Sequence, residues 1–239
     1  GRAHTPHHHG AWLQTPADRP FLYDFEDDGG ILPVHYVGLD ATYQKETRAG
    51  RFAVTGLIAN GRGLITDAVQ LIEDANTSKA VSLLCSFSPA KVKGLRIGGT
   101  AYLDRIPADP ATQGRENEIS EHIFGAHAIY IRDPWELLAE CTSIHHDDGV
   151  AAPLTHSGGY VLVSRRFGEK RPYYMFDWID PKAGDAFFAG VPGVEHKYRH
   201  KLGLRHDWTP FVGLKVEYSH VKAASVKSDG GTIQLSFAF

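Results

Sequence analysis

The chain has 239 residues, a net charge of −3 at neutral pH, and 22% charged against 42% apolar side chains. This composition is ordinary for a folded protein, and the absence of a basic excess excludes a strongly nucleic-acid-binding surface. The longest apolar runs, AVSLLC and YVLV, are far shorter than the about 20 residues of a transmembrane helix. A transmembrane β-barrel is still compatible with this composition, because alternating strands give only a weak hydropathy signal.

From His35 onward the sequence is a series of extended segments separated by turn residues. Apolar and polar residues alternate most clearly in FVGLKVEYSHVK, as in a strand with one apolar side. ITDAVQLIEDA predicts a short loop helix, and WELLAEC, which also has helical character, is assigned to a strand. The eleven predicted strands are 36–44, 51–60, 80–88, 95–104, 121–131, 135–145, 160–167, 173–180, 197–206, 211–222 and 231–239.

The connections between these strands alternate between short and long. Short turns are predicted at 46–50, 89–94, 132–134, 168–172 and 207–210. Long connections are predicted at 61–79, 105–120, 146–159, 181–196 and 223–230. An antiparallel meander with its short turns at one end and its long loops at the other is typical of an outer-membrane barrel. The strand lengths, about nine to eleven residues, also match a tilted crossing of the hydrocarbon layer.

A soluble β-sandwich or a lipocalin-like barrel is the alternative, because its strands also alternate. The polar side of several strands carries more than one charge, for example Lys197, Arg199 and Lys201 on one strand. Burying such charges in a dry core costs several kcal/mol each unless they are paired. A water-filled lumen removes this cost. The sequence therefore favours an all-β fold, specifically a transmembrane antiparallel up-and-down β-barrel.

The last strand, GTIQLSFAF, places Ile233, Leu235, Phe237 and Phe239 on one side. In a closed barrel this strand pairs on both edges and turns these side chains toward lipid. A terminal aromatic residue then lies at the membrane interface, within an aromatic girdle.

Several stretches carry a family resemblance. GRAHTP, HHHGAWLQTPADRP and FEDDGGILPVHYVGL resemble the N-terminal half of porin-like outer-membrane proteins of Gram-negative bacteria, related loosely to phosphate-selective and carbohydrate porins. NGRG with EDANTSKA and GLRIGGTAYLDRIP is similar to a strand–loop–strand unit of that group, and LGLRHDWTPFVGLKVEYSHVK to its penultimate hairpin. The final strand resembles the C-terminal signal read by the outer-membrane assembly machinery.

The resemblance implies a location in the cell outer membrane, with the lipid bilayer and lipopolysaccharide as surroundings and a homotrimer as a common oligomeric form. Eleven strands is an odd number, whereas bacterial single-chain barrels have even counts. We therefore expect at least twelve strands in a single barrel domain over residues 1–239. We also expect further strands upstream of Gly1, to a total of about sixteen by analogy with the family.

The candidate functional residues are the charged and polar side chains predicted to face the lumen. Such rings of charge can bias the passage of ions. The predicted pore-lining residues are Arg96, Tyr102, Asp104, Glu136, Glu140, Asp177, Arg199, Lys201, Arg205, Lys215 and Glu217. A loop constriction is predicted at Glu26, Asp27 and Asp28, which is also open to interpretation as a tight acidic turn.

Three other groups of residues, built on histidine, serine and cysteine, give weaker indications of a chemical function. The histidine-rich groups at 7–9 with His35, and at 145–148, could bind a metal but are interpreted as solvated loop residues. Ser157 follows His156 in THSGGY without the G-x-S-x-G elbow of a hydrolase, so no enzyme activity is expected. Cys85 and Cys141 are predicted to be lipid-facing free thiols, too far apart for a disulfide.

The sequence thus predicts a porin, a passive diffusion channel for small hydrophilic solutes or ions, with neither cofactor nor metal. One alternative is a barrel whose lumen is occupied, serving as a scaffold or conduit in an envelope assembly. The other is a soluble β-sandwich binding module.

Overall fold

The structure, a computed structural model, describes residues 15–24, 29–33, 35–64, 77–189, 191, 193–209, 211–224 and 226–237. In this part the chain forms eleven β-strands and no α-helix, with one turn of 3-10 helix at Phe21–Tyr23. The described residues contain no helix that is long and apolar enough to cross a membrane. The strands are β1 Gly38–Glu46, β2 Gly50–Ala59, β3 Ala80–Pro89, β4 Leu95–Ile106, β5 Ile119–Arg132, β6 Trp135–Asp147, β7 Leu154–Arg165, β8 Lys170–Asp180, β9 Lys197–Thr209, β10 Val212–Ala223 and β11 Lys227–Phe237.

The strands form one sheet in chain order, and every neighbouring pair is antiparallel. This confirms the all-β, up-and-down prediction, and it differs from the two packed sheets of a sandwich. β1 and β11 are the edges of the described sheet. Because ten antiparallel steps separate them, β1 and β11 run in the same direction.

Two predicted connections are wrong. Residues 223–230 were expected to form a long loop, but only 224–226 separate β10 from β11, because Gly230 and Gly231 belong to the strand. The loop at 146–159 is also shorter, at 148–153, since β7 already begins at Leu154. The predicted helix in ITDAVQLIEDA, residues 65–75, lies outside the described residues, which resume at residue 77.

The two faces of the sheet differ in what lies on them. Residues 15–24 and 29–33, the start of the connection after β2 and the connection after β8 pack on one face, which we call the covered face. The other, the bare face, carries apolar side chains that are exposed, including Val216 at 46% and Phe237 at 58%. Cys85 and Cys141 are exposed free thiols, as expected, and lie on the bare face.

An apolar core fills the space between the covered face and the segments on it. Leu22 and Ile31 are completely buried there, and Phe187 nearly so. They pack with apolar residues of β3 to β8, which share this face with charged side chains. The sheet residues of this core are Ala80, Tyr102, Ile106, Ile119, Ile123, Ile129, Leu138, Ile144, Tyr160, Leu162, Met175 and Ile179. Burial of this core therefore holds the covering segments in place.

Gly203 on β9 gives the ring of Tyr173 room to lie flat on the covered face. A Cβ atom at position 203 would approach the ring to 2.1 Å, so the ring must move. The Tyr173 hydroxyl donates to Glu217 at 2.7 Å, and this hydrogen bond would be lost with the move. We expect Gly203→Ala to lower the free energy of unfolding by about 1–3 kcal/mol, as in overpacked interiors. Denaturant unfolding of the purified protein measures this change.

Gly231→Ala is the matched control. Position 231 also lies in a strand, but its Cβ would meet nothing within 4 Å. Equal stabilities of the two alanine variants would show that the contact between Gly203 and Tyr173 has no energetic importance.

Candidate functional site

All eleven predicted pore-lining residues lie on the covered face. The strand register places them in phase: for example, Lys215 is opposite Arg205, and Asp177 is opposite Arg199. Most are buried or half-buried, with Lys201 and Asp177 completely so, whereas Arg96 is exposed. That these residues line a pore stays a prediction. The predicted constriction at Glu26, Asp27 and Asp28 lies outside the described residues.

Asp177 on β8 holds the 3-10 turn of the N-terminal segment. Its carboxylate accepts the backbone N–H of Phe21 at 2.8 Å and the guanidinium of Arg199 at 2.8 and 3.1 Å. Arg199 also donates to the carbonyl of Arg19 at 2.8 Å and lies 4.0 Å from the centre of the Phe21 ring. Residues 19–21 therefore supply hydrogen-bond partners to both members of the pair Asp177–Arg199.

Glu217 and two lysines bind residues 16–18, which precede this 3-10 turn, in the same way. Glu217 accepts the backbone N–H of Ala17 at 3.2 Å and lies 2.9 Å from the ammonium of Lys201. Lys215 donates to the carbonyl of Pro16 at 3.0 Å. The second partner of Lys201 is Asp18, at 3.2 Å. Each buried ammonium thus has an oxygen partner, as buried charges require.

Two glutamates of β6 complete the contacts of this segment. Glu136 accepts from Thr15, from Ser164 at 2.9 Å and from Arg171 at 3.3 Å. Glu140, four residues later on the same face, accepts from the hydroxyl of Tyr23. The side chains predicted to line the lumen therefore bind residues 15–23 on the covered face.

A second group of charges lies nearer the long connections, and the sequence did not predict it as a unit. Glu121 on β5 accepts from Arg62 at 2.9 and 3.1 Å and from His146 at 2.9 Å, with both partners buried. Arg62 further donates to the carbonyl of Ile31 at 2.7 Å, and its backbone N–H donates to Asp104 at 2.7 Å. This group ties the connection after β2 to the sheet.

Asp185 ties the connection after β8 to the same group. One of its oxygens faces His146 at 2.7 Å and His156 at 3.1 Å. The other accepts the backbone N–H groups of Phe187 and Phe188 at 2.9 and 2.8 Å. Burial alone would raise the pKa of Asp185, but the hydrogen bonds from the two imidazoles outweigh burial and hold that pKa well below its usual range.

The protonation of the two histidines follows from their partners. Both ring nitrogens of His146 face carboxylate oxygens, which only accept, so this ring donates from both and is an imidazolium. The backbone N–H of Lys182 points at Nδ1 of His156 at 2.9 Å. Nδ1 is therefore an acceptor, and Nε2 carries the hydrogen that is donated to Asp185.

The hydrogen-bond partners of His146, His156 and Asp185 also indicate whether these three residues could bind a metal ion. Ligand atoms of His146, His156 and Asp185 lie within 4.8 Å of one another. A ligating Nε2 on His156 would place a hydrogen on Nδ1, against the N–H of Lys182. The donor arrangement does not fit a metal and favours a hydrogen-bonded network.

The interpretation of His146 as a solvated loop residue is wrong. β6 continues to Asp147, and His146 is 4% exposed on the covered face. Its position in phase with Glu136 and Glu140, at even residue spacing, was the signal that could have placed it there. Asp185 had no comparable signal, because it lies in an irregular connection.

Comparison with known proteins leaves the chain without an assigned family. No protein-family model matches it, and no curated protein matches it significantly.

Proposed function

We propose that the sheet is the larger part of a transmembrane antiparallel β-barrel in the outer membrane of a Gram-negative bacterium. In this proposal the protein is a porin-type passive channel for small hydrophilic solutes or ions. The observation that carries it is the polarity of the two faces: charged side chains are buried on the covered face, while large apolar side chains are exposed on the bare face. A sheet surrounded by water favours the reverse arrangement.

The bare face is apolar over consecutive strands rather than at scattered positions. Val161, Tyr174, Leu202, Val216 and Leu235, one from each of β7 to β11, are each at least 38% exposed. Water-soluble monomers rarely expose continuous apolar patches larger than a few hundred Å². Hydrocarbon contact supplies the burial that this surface lacks.

Aromatic side chains at both ends of the bare face support the same proposal. Trp178 and Tyr198 are register partners beside the long connection after β8. Phe52 and Phe87 stack with ring centres 4.4 Å apart near the short turns, and Trp135 begins β6 at that end. Aromatic girdles at the two membrane interfaces are characteristic of outer-membrane barrels.

Closure of the barrel requires further strands in this proposal. Because β1 and β11 run in the same direction, pairing them directly would be parallel. One additional strand, or another odd number, allows antiparallel pairing throughout and gives the even total of twelve or more. The unpaired edges of β1 and β11 within the described sheet are where such strands would join.

The proposed partners follow from the same orientation. The bare face would contact the lipid bilayer and lipopolysaccharide, and the C-terminal strand β11 would engage the outer-membrane assembly machinery. A homotrimer of complete barrels is the proposed assembly, by the resemblance to porins. Phe239, the last residue of that strand in the sequence, lies outside the described residues.

An occupied lumen is the second candidate, favoured by the contacts of residues 15–23. They bind Asp177, Glu217, Lys215 and Glu136 on the face that would line the lumen. Current through single molecules in planar bilayers distinguishes the two. An ohmic current supports the channel; its absence from correctly folded protein would support a scaffold or conduit.

A charged side chain introduced on the bare face would distinguish a surface that contacts lipid from one that contacts water. Leu202, in the middle of β9, is 59% exposed. If lipid covers it, Leu202→Arg lowers the free energy of unfolding by about 2–4 kcal/mol in bilayers, as measured near the midplane of other barrels. Urea unfolding in lipid vesicles measures the change.

Glu118→Arg is the control for the added charge. Glu118 lies in the connection between β4 and β5, where its ion pair with Arg105 is exposed and worth at most about 1 kcal/mol. A Leu202→Arg protein that is stable and monomeric in detergent-free buffer would contradict the membrane proposal.

A further inference from the structure

A cavity of about 70 Å³ lies between the covered face and the residues that lead into β1. Leu57 and Ile123 of the sheet form part of an apolar wall. Hydroxyl groups come from side chains such as Ser82 and Thr142. Glu140 is the one charged side chain among the described residues that line this cavity.

Glu140 accepts hydrogen bonds from the hydroxyl groups of Tyr23 and Tyr160, but one of its two carboxylate oxygens remains without a donor. Oε1 accepts from the hydroxyl of Tyr23. Oε2 is buried and has no hydrogen-bond partner among the described residues. A buried carboxylate oxygen without a donor costs free energy, and a donor that entered the cavity would recover it.

The residues that line the cavity limit which kind of hydrogen-bond donor could bind there. No Lys, Arg or His side chain is among the described lining residues, so none of these residues balances the charge of Glu140. An ammonium group has three hydrogens to donate and forms strong, charge-assisted bonds with carboxylates. Its other hydrogens can be donated to hydroxyl oxygens of the lining, such as those of Ser82 and Thr142. The apolar wall suits a short aliphatic stem.

We infer that this cavity is a binding site for a small aliphatic primary ammonium ion, with Glu140 as the counter-ion. One water needs about 10–15 Å³ by this measure of volume, so the cavity accommodates about five heavy atoms. The site depends on the cavity and on Glu140, and not on whether the lumen conducts.

Ethanolammonium, with four heavy atoms, is a suitable probe, and ethylene glycol is its neutral counterpart of equal size. Calorimetric titration of the full chain is carried out at about pH 8, where carboxyl groups are ionised and a primary amine is still protonated. We expect one ethanolammonium to bind per chain and ethylene glycol to bind at least about tenfold more weakly. Absence of ethanolammonium binding, or equal binding of the two probes, would overturn the inference.

Substitutions locate the site. Glu140→Gln keeps the shape and the acceptor for Tyr23 but removes the charge, so ethanolammonium should bind at least about tenfold more weakly. Glu118→Gln, a carboxylate outside the cavity, should leave binding unchanged. Leu57→Phe keeps Glu140 but fills the cavity, so it should also abolish binding. Undiminished binding by folded Glu140→Gln or Leu57→Phe protein would place the ammonium elsewhere and reject this site.

Discussion

Replacing Asp185 with alanine is expected to detach the connection after β8 from the sheet. The substitution removes the acceptor for His146, for His156 and for two backbone N–H groups at once. It also leaves the imidazolium of His146 with one carboxylate instead of two. Breaking a buried ion pair on one side typically costs about 3–5 kcal/mol, and we expect a loss of that size in the free energy of unfolding. Urea unfolding and protease cleavage within 181–196 report the global and the local effect.

Glu118→Ala is the matched control, because it removes another acidic residue from a long connection at the same end of the sheet. Its partner Arg105 is 61% exposed, so the loss should be below about 1 kcal/mol. Asp185→Asn, which retains one acceptor oxygen, should fall between the two variants. A difference below about 1 kcal/mol between wild type and Asp185→Ala would show that this network does not stabilise the fold.

The pH dependence of the Asp185 effect has a defined sign. The pKa of Asp185 is lowered in the folded protein, so its carboxylate contributes stability above its unfolded pKa of about 3.9. The contribution is lost as pH falls from there through the folded pKa. The stability difference between wild type and Asp185→Ala due to this ionisation should therefore persist down to about pH 5 and shrink below about pH 4.

Releasing residues 15–24 from the covered face is expected to raise single-channel conductance several-fold, if the lumen conducts. A glycine–serine replacement of the same length removes the carboxylate of Asp18, the buried ring of Phe21 and the hydroxyl of Tyr23, which hold the segment to the sheet. The cross-section that the segment occupies then fills with water, and Asp177, Lys201 and Glu217 face that water. Planar-bilayer recordings measure the change.

The same recordings test the charges that become accessible. In the released variant, a further Glu217→Gln substitution should shift ion selectivity toward anions, because Lys201 and Lys215 are then less balanced. In the intact protein, where Glu217 is buried at 3% exposure, the shift should be much smaller. Unchanged conductance after release, with the protein still folded, would mean that residues 15–24 do not restrict the path of ions.

The positions of the strands, and the face of the sheet on which each side chain lies, were predictable because both depend on the local alternation of apolar and polar residues. The strand containing Val216 and Lys215 shows why: one period-two pattern predicts both the strand and the face on which each residue lies. The last connection was misjudged because Gly230 and Gly231 resemble a turn in sequence, yet they lie in β11, where Gly231 has open space around it.

The covering segments could not be predicted in the same way. Phe21 reaches Asp177 across 156 positions of sequence, and Glu217 reaches Ala17 across 200. No local pattern encodes such contacts, since the carboxylates would look the same if they faced water. The sequence therefore predicted which charges share a face but missed that this face is largely filled.

The shared direction of β1 and β11 also limits how copies of this chain could associate. If two molecules in the same orientation met at the edges of the described sheet, the β1 of one would lie parallel to the β11 of the other. Joining two equal edges would give antiparallel pairing, but it would require one copy to be upside down. An antiparallel seam between uniformly oriented copies would therefore need a strand from outside the described sheet, just as antiparallel closure of a single chain would.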